Sequence, residues 1–424
     1  MMKLEYKKIH RMSMSALILF FILIGAMSID IVIIYLKWPS YLKIGAPDAT
    51  ALRHAVFYIP CILAAIITHT VFRRKLLKDY PDRFPVKVRS TKKTIIRRIV
   101  KSIVITLLMG IFLLMVTPYI ALPIFLNRHV NYLGYTTPKH VLQDIYEASE
   151  YDMKETQRYL VTEDGFKVWT SEIYTEQPKA VIIYLTGIMQ PSVTYFYGHA
   201  KYMQERGYAS ILLEVRGHGK SDGNRICLGY EEINDVRAVV EFIKAEKKYD
   251  GVPIVIQGMS MGGAVSINAF GQISEIDALI AMSAYSSFEE VALDQMNGLG
   301  IPKIIQRMEK PFLRSALKVI YGKYPVENLR PIEQIKNTNG RPALLVACTG
   351  DTEVPPINMQ RLRNANPVVQ TWLRDSWEHF IVKDCNLMEV AQDKEYCDRI
   401  LAFLEDEVIR DQRMRVSSNI MDFP

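Results

Sequence analysis

Ser260 stands in Gly258-Met259-Ser260-Met261-Gly262, after the apolar run Ile254-Val255-Ile256 and before a helical pattern through Ala264, Ile267 and Phe270. A short apolar run reads as a buried strand, so the serine is expected on a sharp strand-to-helix corner with its hydroxyl above the sheet edge. Glycines two residues away on either side suit a turn too tight for side chains. The N–H of Met261, opening the helix, would face the same point and favour negative charge there. A serine hydroxyl needs a base to become a nucleophile, and the base needs a carboxylate to hold its tautomer. Of eight histidines only His379 follows Ser260, in Trp377-Glu378-His379-Phe380 after the predicted strand 368–373. The acid is sought in Thr349-Gly350-Asp351-Thr352-Glu353, after the predicted strand 343–346. Asp351 is preferred there, Glu353 is its rival, and Asp375 reads as a surface residue. A second oxyanion donor is expected from the N–H of Ile188 in Thr186-Gly187-Ile188-Met189, where Gly187 lets the backbone approach the developing charge. Such a set would perform acyl transfer.

The elements that must hold these residues follow from hydrophobic period. A hairpin is expected over 158–174 around Asp164-Gly165. Strands at 180–185, 209–215, the short apolar run from Ile254 that leads into the serine corner, 278–282, 343–346 and 368–373 alternate with helices at 193–206, 230–246, after Ser260, and near Asn358. A helix over 387–408 closes the pattern. Continuous apolar runs separated by amphipathic helices imply a mostly parallel sheet covered on both faces. The stretch 285–330 breaks the alternation and is long for a connector, which predicts a small helical cap. Its Met296, Leu299, Ile304, Ile305 and Phe312 either line an apolar substrate pocket or pack the cap onto the sheet.

Glu214-Val215-Arg216-Gly217-His218-Gly219-Lys220-Ser221-Asp222-Gly223 resembles the Asp-x-Arg-Gly-x-Gly-x-Ser segment of α/β-hydrolases. With the serine pentapeptide, the 351–355 run and His379, it is similar to the serine hydrolases grouped with monoacylglycerol lipases and S33-type aminopeptidases. The resemblance covers about 157–408 and implies an α/β-hydrolase fold with the catalytic order Ser260, Asp351, His379. It also implies that Arg216 and His218 hold the loop near the oxyanion site rather than react. Two positions depart from the pattern: Glu214 stands where the family usually has Asp, and Thr186 where a histidine usually precedes the oxyanion glycine.

The chain has 424 residues, 49% of them hydrophobic, and a net charge of +7. That length suggests two unequal parts. The apolar excess lies in the first 126 residues, where runs at 13–36, 55–72 and 102–126 read as three transmembrane helices. Asp30 in the first would face another helix or the interface. His69 reads as a helix-packed or snorkelling histidine rather than a metal ligand. Twelve basic residues against Asp79 and Asp82 fill 73–101. This concentrates the positive charge in one loop, which argues for membrane topology and against a nucleic-acid partner. The amino end would lie inside and the domain after residue 126 outside the cytoplasm, at the plasma membrane. Residues 127–156 read as a linker with one short helix at 138–149, 157–410 as the hydrolase domain, and 411–424 as a tail. Five scattered cysteines show no CxxC pair; free thiols are favoured over a Cys385–Cys397 disulfide. No cofactor is expected. The function expected is a membrane-anchored serine hydrolase acting on an acyl ester, lipid-derived in the first instance. A peptidase or amidase of the same fold, or a non-catalytic binding protein, are the alternatives.

Overall fold

The computed structural model describes residues 6, 8–21, 23, 47–80, 92–130, 147–188, 190 and 192–410. The chain divides into two units, Met1–Ala121 and Leu122–Pro424. The first is helical where described: helical backbone at 8–21, then α1 (Pro47–Asp79) and α2 (Lys92–Leu126). The expected spans at 55–72 and 102–126 fall within α1 and α2. Most of 13–36, with Asp30, lies outside the described residues, as does most of the short helix expected at 138–149. Among the described residues no helix is long and apolar enough to cross a membrane. In α1, Arg53, His54, Thr68 and His69 interrupt the apolar run, and α2 opens on five basic residues within its first ten. His69 is a helix-packed histidine: its Nδ1 lies 3.1 Å from Ser13 Oγ and 2.9 Å from the Ser13 carbonyl.

The second unit is built on an eight-stranded sheet of order β1-β2-β4-β3-β5-β6-β7-β8. β1 (Thr156–Val161) and β2 (Lys167–Ile173) form the expected antiparallel hairpin. Its turn needs Gly165, which takes φ +87° while its N–H bonds the Thr162 carbonyl. β2 pairs antiparallel with β4 (Ala209–Leu213). From β4 onward the pairs are parallel: β3 (Val181–Leu185), β5 (Ile254–Met259), β6 (Ala278–Met282), β7 (Ala343–Cys348) and β8 (Gln370–Arg374). Every residue of β3 to β7 is buried, which is why these strands read as unbroken apolar runs. The strand order, with its antiparallel β2 and parallel remainder, is that of an α/β-hydrolase.

The connecting helices are α3 (Tyr197–Gln204), α4 (Ile233–Ala245), α5 (Met261–Gln272), α6 (Phe288–Gly298), α7 (Lys303–Tyr321), α8 (Lys323–Asn328), α9 (Pro331–Gln334), α10 (Ile357–Ala365) and α11 (Lys394–Phe403). A core of Trp169, Tyr184, Phe196, Tyr396 and Phe403 joins the sheet to α3 and α11. The expected cap is α6 to α8. Gln295 of α6 donates to the carbonyl of Thr352 at 2.6 Å, so the cap is fastened to the loop after β7. The helix expected over 387–408 is divided: Asn386 caps a 3₁₀ turn at Leu387–Gln392, and Asp393 caps α11. A capping side chain bonds the first free N–H groups and so starts a new helix wherever it falls. All five cysteines are free.

Residues 122–130 are not the start of a free tether. The Leu126 carbonyl accepts Ile226 N–H at 2.9 Å, and Val130 exchanges backbone bonds with Gly217 (2.7 Å) and Gly219 (2.8 Å). The His129 ring lies against the carbonyls of Gly219 and Gly223. Leu126 and Val130 are fully buried.

Candidate active site

Ser260 follows β5 with φ 57° and ψ −120°, a conformation that side chains rarely adopt and that surrounding structure must enforce. Its N–H donates to Met282 O at 2.8 Å, and its carbonyl accepts Ala264 N–H at 3.1 Å. The flanking glycines are required by crowding. A Cβ on Gly258 would lie 2.1 Å from Gly262 O, and one on Gly262 would lie 2.4 Å from Thr186 O.

β7 and β8 are neighbours, so the loops that follow them meet. His379 Nδ1 lies 2.8 Å from Asp351 Oδ2. The other oxygen, Oδ1, accepts N–H groups of Glu353 at 2.8 Å and Val354 at 3.0 Å. Burial opposes the charge on Asp351. The His379 charge, its hydrogen bond and the two backbone donors outweigh that and hold the carboxyl below its ordinary value. The His379 carbonyl accepts Ser283 Oγ at 2.7 Å. Ser283 directly follows Met282, which holds Ser260, so the end of β6 connects the histidine loop to the serine corner. Ser260, Asp351 and His379 are all buried. Glu353 lies on the other side of the imidazole, its Oε2 3.8 Å from Nε2. Asp375 accepts the Thr349 hydroxyl at 3.0 Å.

The turn after β3 abuts the serine. A Cβ on Gly187 would lie 3.2 Å from Ser260 Cβ and 3.7 Å from its Oγ. Gly187 O accepts Gln190 N–H inside the turn, and in a trans peptide the N–H of Ile188 points the opposite way. The same reasoning applies to Met261. Its peptide carbonyl, on Ser260, faces into α5, so its N–H points out of the helix start.

The loop 214–223 supports this turn from behind, as the resemblance implied. His218 Nε2 lies 3.1 Å from Ile188 O and Nδ1 3.1 Å from Arg216 O. Burial pushes the ring's pKa below its ordinary value, against the two backbone carbonyls that favour its charge. Arg216 is buried between Asp164 (2.5 Å) and Asp235 (2.7 Å). Glu214 accepts Ser192 Oγ at 2.7 Å and the Lys220 N–H. Burial raises its pKa despite these donors.

A model of the family described as serine aminopeptidase, S33, matches residues 176–335. That match takes in less than half of the chain, and the order of the sheet agrees with the α/β-hydrolase fold. The chain is 27% identical over 94 residues to an uncharacterized 31.7 kDa protein in the traX-finO intergenic region of Escherichia coli. That match takes in 22% of this chain and 33% of the other, so the chain spans about a third of the length of the curated relatives it matches. Among solved structures, a Pyrococcus furiosus esterase aligns with a TM-score of 0.48 at 21% identity, covering 62% of this chain and 94% of that one. A Pyrococcus horikoshii acylaminoacyl peptidase aligns with a TM-score of 0.47 at 18% identity, covering 62% and 44%.

Gln190 has no counterpart in the sequence reading. A lone glutamine in a loop has no spacing to betray it. A cavity of about 280 Å³ lined by Tyr249, Pro253, Asp277 and Val408 lies by Ile254, the opposite end of β5 from Ser260.

Proposed function

We propose that the protein hydrolyses an acyl ester through an acyl-enzyme on Ser260. Ser260 Oγ attacks the acyl carbonyl while His379 Nε2 takes its proton. Asp351 holds the Nδ1–H tautomer and balances the imidazolium. The N–H groups of Ile188 and Met261 receive the oxyanion. Collapse of the tetrahedral intermediate breaks the ester C–O bond, and the leaving alcohol takes the proton from His379. Water, deprotonated by the same imidazole, then releases the acid and frees Ser260. The observation that carries the reading is the 2.8 Å Asp351–His379 bond, with the second carboxylate oxygen occupied by two backbone donors. Fluorophosphonate labelling tests it: wild type should label and Ser260→Ala should not. Equal labelling of the two, or none on wild type, ends the proposal.

A peptidase or amidase reading draws support from the match to the serine aminopeptidase description. It uses the same residues, and turnover of acyl esters against aminoacyl amides separates the two.

Membrane attachment through the first 126 residues, with a lipid-derived ester as substrate and the hydrolase domain outside the cytoplasm, belongs to the same proposal. It rests on the whole-sequence pattern of apolar runs around a basic segment. Outward-facing apolar side chains in the first unit, among them Leu63, Ile67, Val71, Val104 and Phe112, also support it. The protein should stay with the membrane pellet through alkaline carbonate washing. A cysteine placed at Thr136 should react with an impermeant thiol reagent on intact cells. Release by carbonate, or reaction only after lysis, refutes the respective part.

A further inference from the structure

Gln295 of the cap helix α6 reaches the loop that carries Asp351. Its Nε2 donates to the Thr352 carbonyl at 2.6 Å and to the Glu353 carbonyl at 2.5 Å. An amide nitrogen has two hydrogens, one for each oxygen, and only the nitrogen end can face carbonyls. The Thr352 carbonyl shares its peptide group with the Glu353 N–H, and the Glu353 carbonyl shares its own with the Val354 N–H. These are the two N–H groups that hold Asp351 Oδ1, at 2.8 and 3.0 Å. In a trans peptide the oxygen and the hydrogen point to opposite sides, and no cis bond occurs among the described residues. Each of the two peptides is therefore gripped on both sides, by the cap glutamine on one and by the carboxylate on the other.

The helix that bears Gln295 is itself fixed. Asp294 accepts Asn358 Nδ2 at 2.9 Å and both arms of Arg361 at 2.6 and 2.8 Å. Asn358 is fully buried, and its Oδ1 accepts the N–H of Ser286 at 3.1 Å and the Ser286 hydroxyl at 2.9 Å, just before α6 begins. Gln295 thus has a set position from which to hold the loop. A hydrogen bond at a peptide carbonyl polarises the group and makes its N–H a stronger donor. Two such bonds from one side chain both place and strengthen the pair of donors on Asp351.

We infer that Gln295 is a positioning residue for the acid: through the 352–353 and 353–354 peptides it fixes which oxygen of Asp351 faces His379. The inference rests on the proposed roles of Asp351 and His379. Gln295 is assigned no contact with substrate or with the reacting atoms. With Oδ1 occupied by both N–H groups, Oδ2 alone is left for the imidazole, at 2.8 Å from Nδ1. The cap thereby contributes to the chemistry as well as covering it.

The test is a double-mutant cycle in the full-length protein: wild type, Gln295→Met, Asp351→Asn and the two together. It is read by kcat and KM for p-nitrophenyl acetate and by the rate of fluorophosphonate labelling at Ser260. In metal sites, losing the partner behind a ligand costs ~10–100-fold, and the same order is expected here. Gln295→Met alone should lose that much in kcat and in labelling rate, with KM changed by less than about threefold. In Asp351→Asn the two N–H groups hold the asparagine oxygen and turn its NH₂ to the imidazole. Loosening them frees that oxygen to turn to Nδ1, so the Gln295→Met loss should vanish or reverse in this background. An equal loss in both backgrounds, which a residue that only props the cap would give, overturns the inference. So does a wild-type kcat in Gln295→Met, or a loss confined to KM. Should Gln295→Met melt too low to assay, Gln295→Glu has the shape of glutamine without its donor and decides in its place. An Asp351→Asn rate within about tenfold of wild type ends the role of Asp351 itself, and shows before Gln295 is touched.

Discussion

Replacing Asp351 with Asn tests the site at the atom where its geometry is tightest. Oδ1 accepts two backbone N–H groups at 2.8 and 3.0 Å, and Oδ2 faces His379 Nδ1 at 2.8 Å. In Asp351→Asn the side-chain carbonyl must keep the two backbone donors, so the amide nitrogen is forced toward the imidazole. Two donors cannot face each other, and the ring proton moves to Nε2. An imidazole protonated at Nε2 cannot accept the proton of Ser260. The equivalent swap in a Ser-His-Asp protease costs ~10⁴ in kcat, which is about 5 kcal/mol of barrier. The loss should appear in kcat with KM nearly unchanged, because no substrate contact is removed. Steady-state hydrolysis of a p-nitrophenyl ester from pH 5 to 9, with thermal melting to check the fold, measures it. An Asp351→Asn variant within tenfold of wild type at pH 8 would rule out this tautomer control. So would a far larger loss in Glu353→Gln, whose carboxylate is 3.8 Å from Nε2 and should matter by less than about threefold.

His218→Ala frees the Ile188 carbonyl and should lower kcat by roughly 10–10² while labelling at Ser260 persists; an unchanged kcat shows that the ring plays no part in holding that turn. Arg374 is buried against Asp393 in a two-pronged pair of 2.5 and 2.7 Å. Arg374→Met leaves the carboxylate alone and should cost ~3–5 kcal/mol in chemical denaturation; a loss under about 1 kcal/mol contradicts this. Burial opposes the charge of Asp393, but Arg374 and the N–H groups of Lys383 and Tyr396 bring its pKa below the ordinary 3.8. Its folded value is depressed, so its contribution is fully present above pH ~4 and disappears as pH falls below it. Asp393→Asn should flatten the melting temperature across that acid window, and an unaltered slope argues against it.

The serine corner and the acid were legible because each lies just after a buried parallel strand with an unbroken apolar signature, and the histidine, after the half-exposed edge strand β8, because no other histidine follows Ser260. The pairing of Asp351 with His379 was expected from their order in the chain. Arg216 and His218 were readable as supports through the resemblance and the turn-like glycines around them, Gly217 and Gly219. The break at Asp393 was hidden inside a continuous amphipathic pattern, where one carboxylate restarts the helix. Gln190 was invisible because its hold on the Gly187 N–H depends on which way one amide faces. The seating of 122–130 was missed because its pairing is a single bridge, Val130 to His218, too short to leave a periodic trace.

That seating changes how a truncation should be read. A form beginning at Gln157, where the resemblance starts, would strip the partner groups from Gly217, Gly219 and Ile226 and empty the slots of Leu126 and Val130. The segment bearing His218 would lose its outer clasp, and Ile188 would lose its steadiness with it. Inactivity of such a fragment would then be a mechanical fault a few residues from the nucleophile, easily mistaken for a demand for lipid.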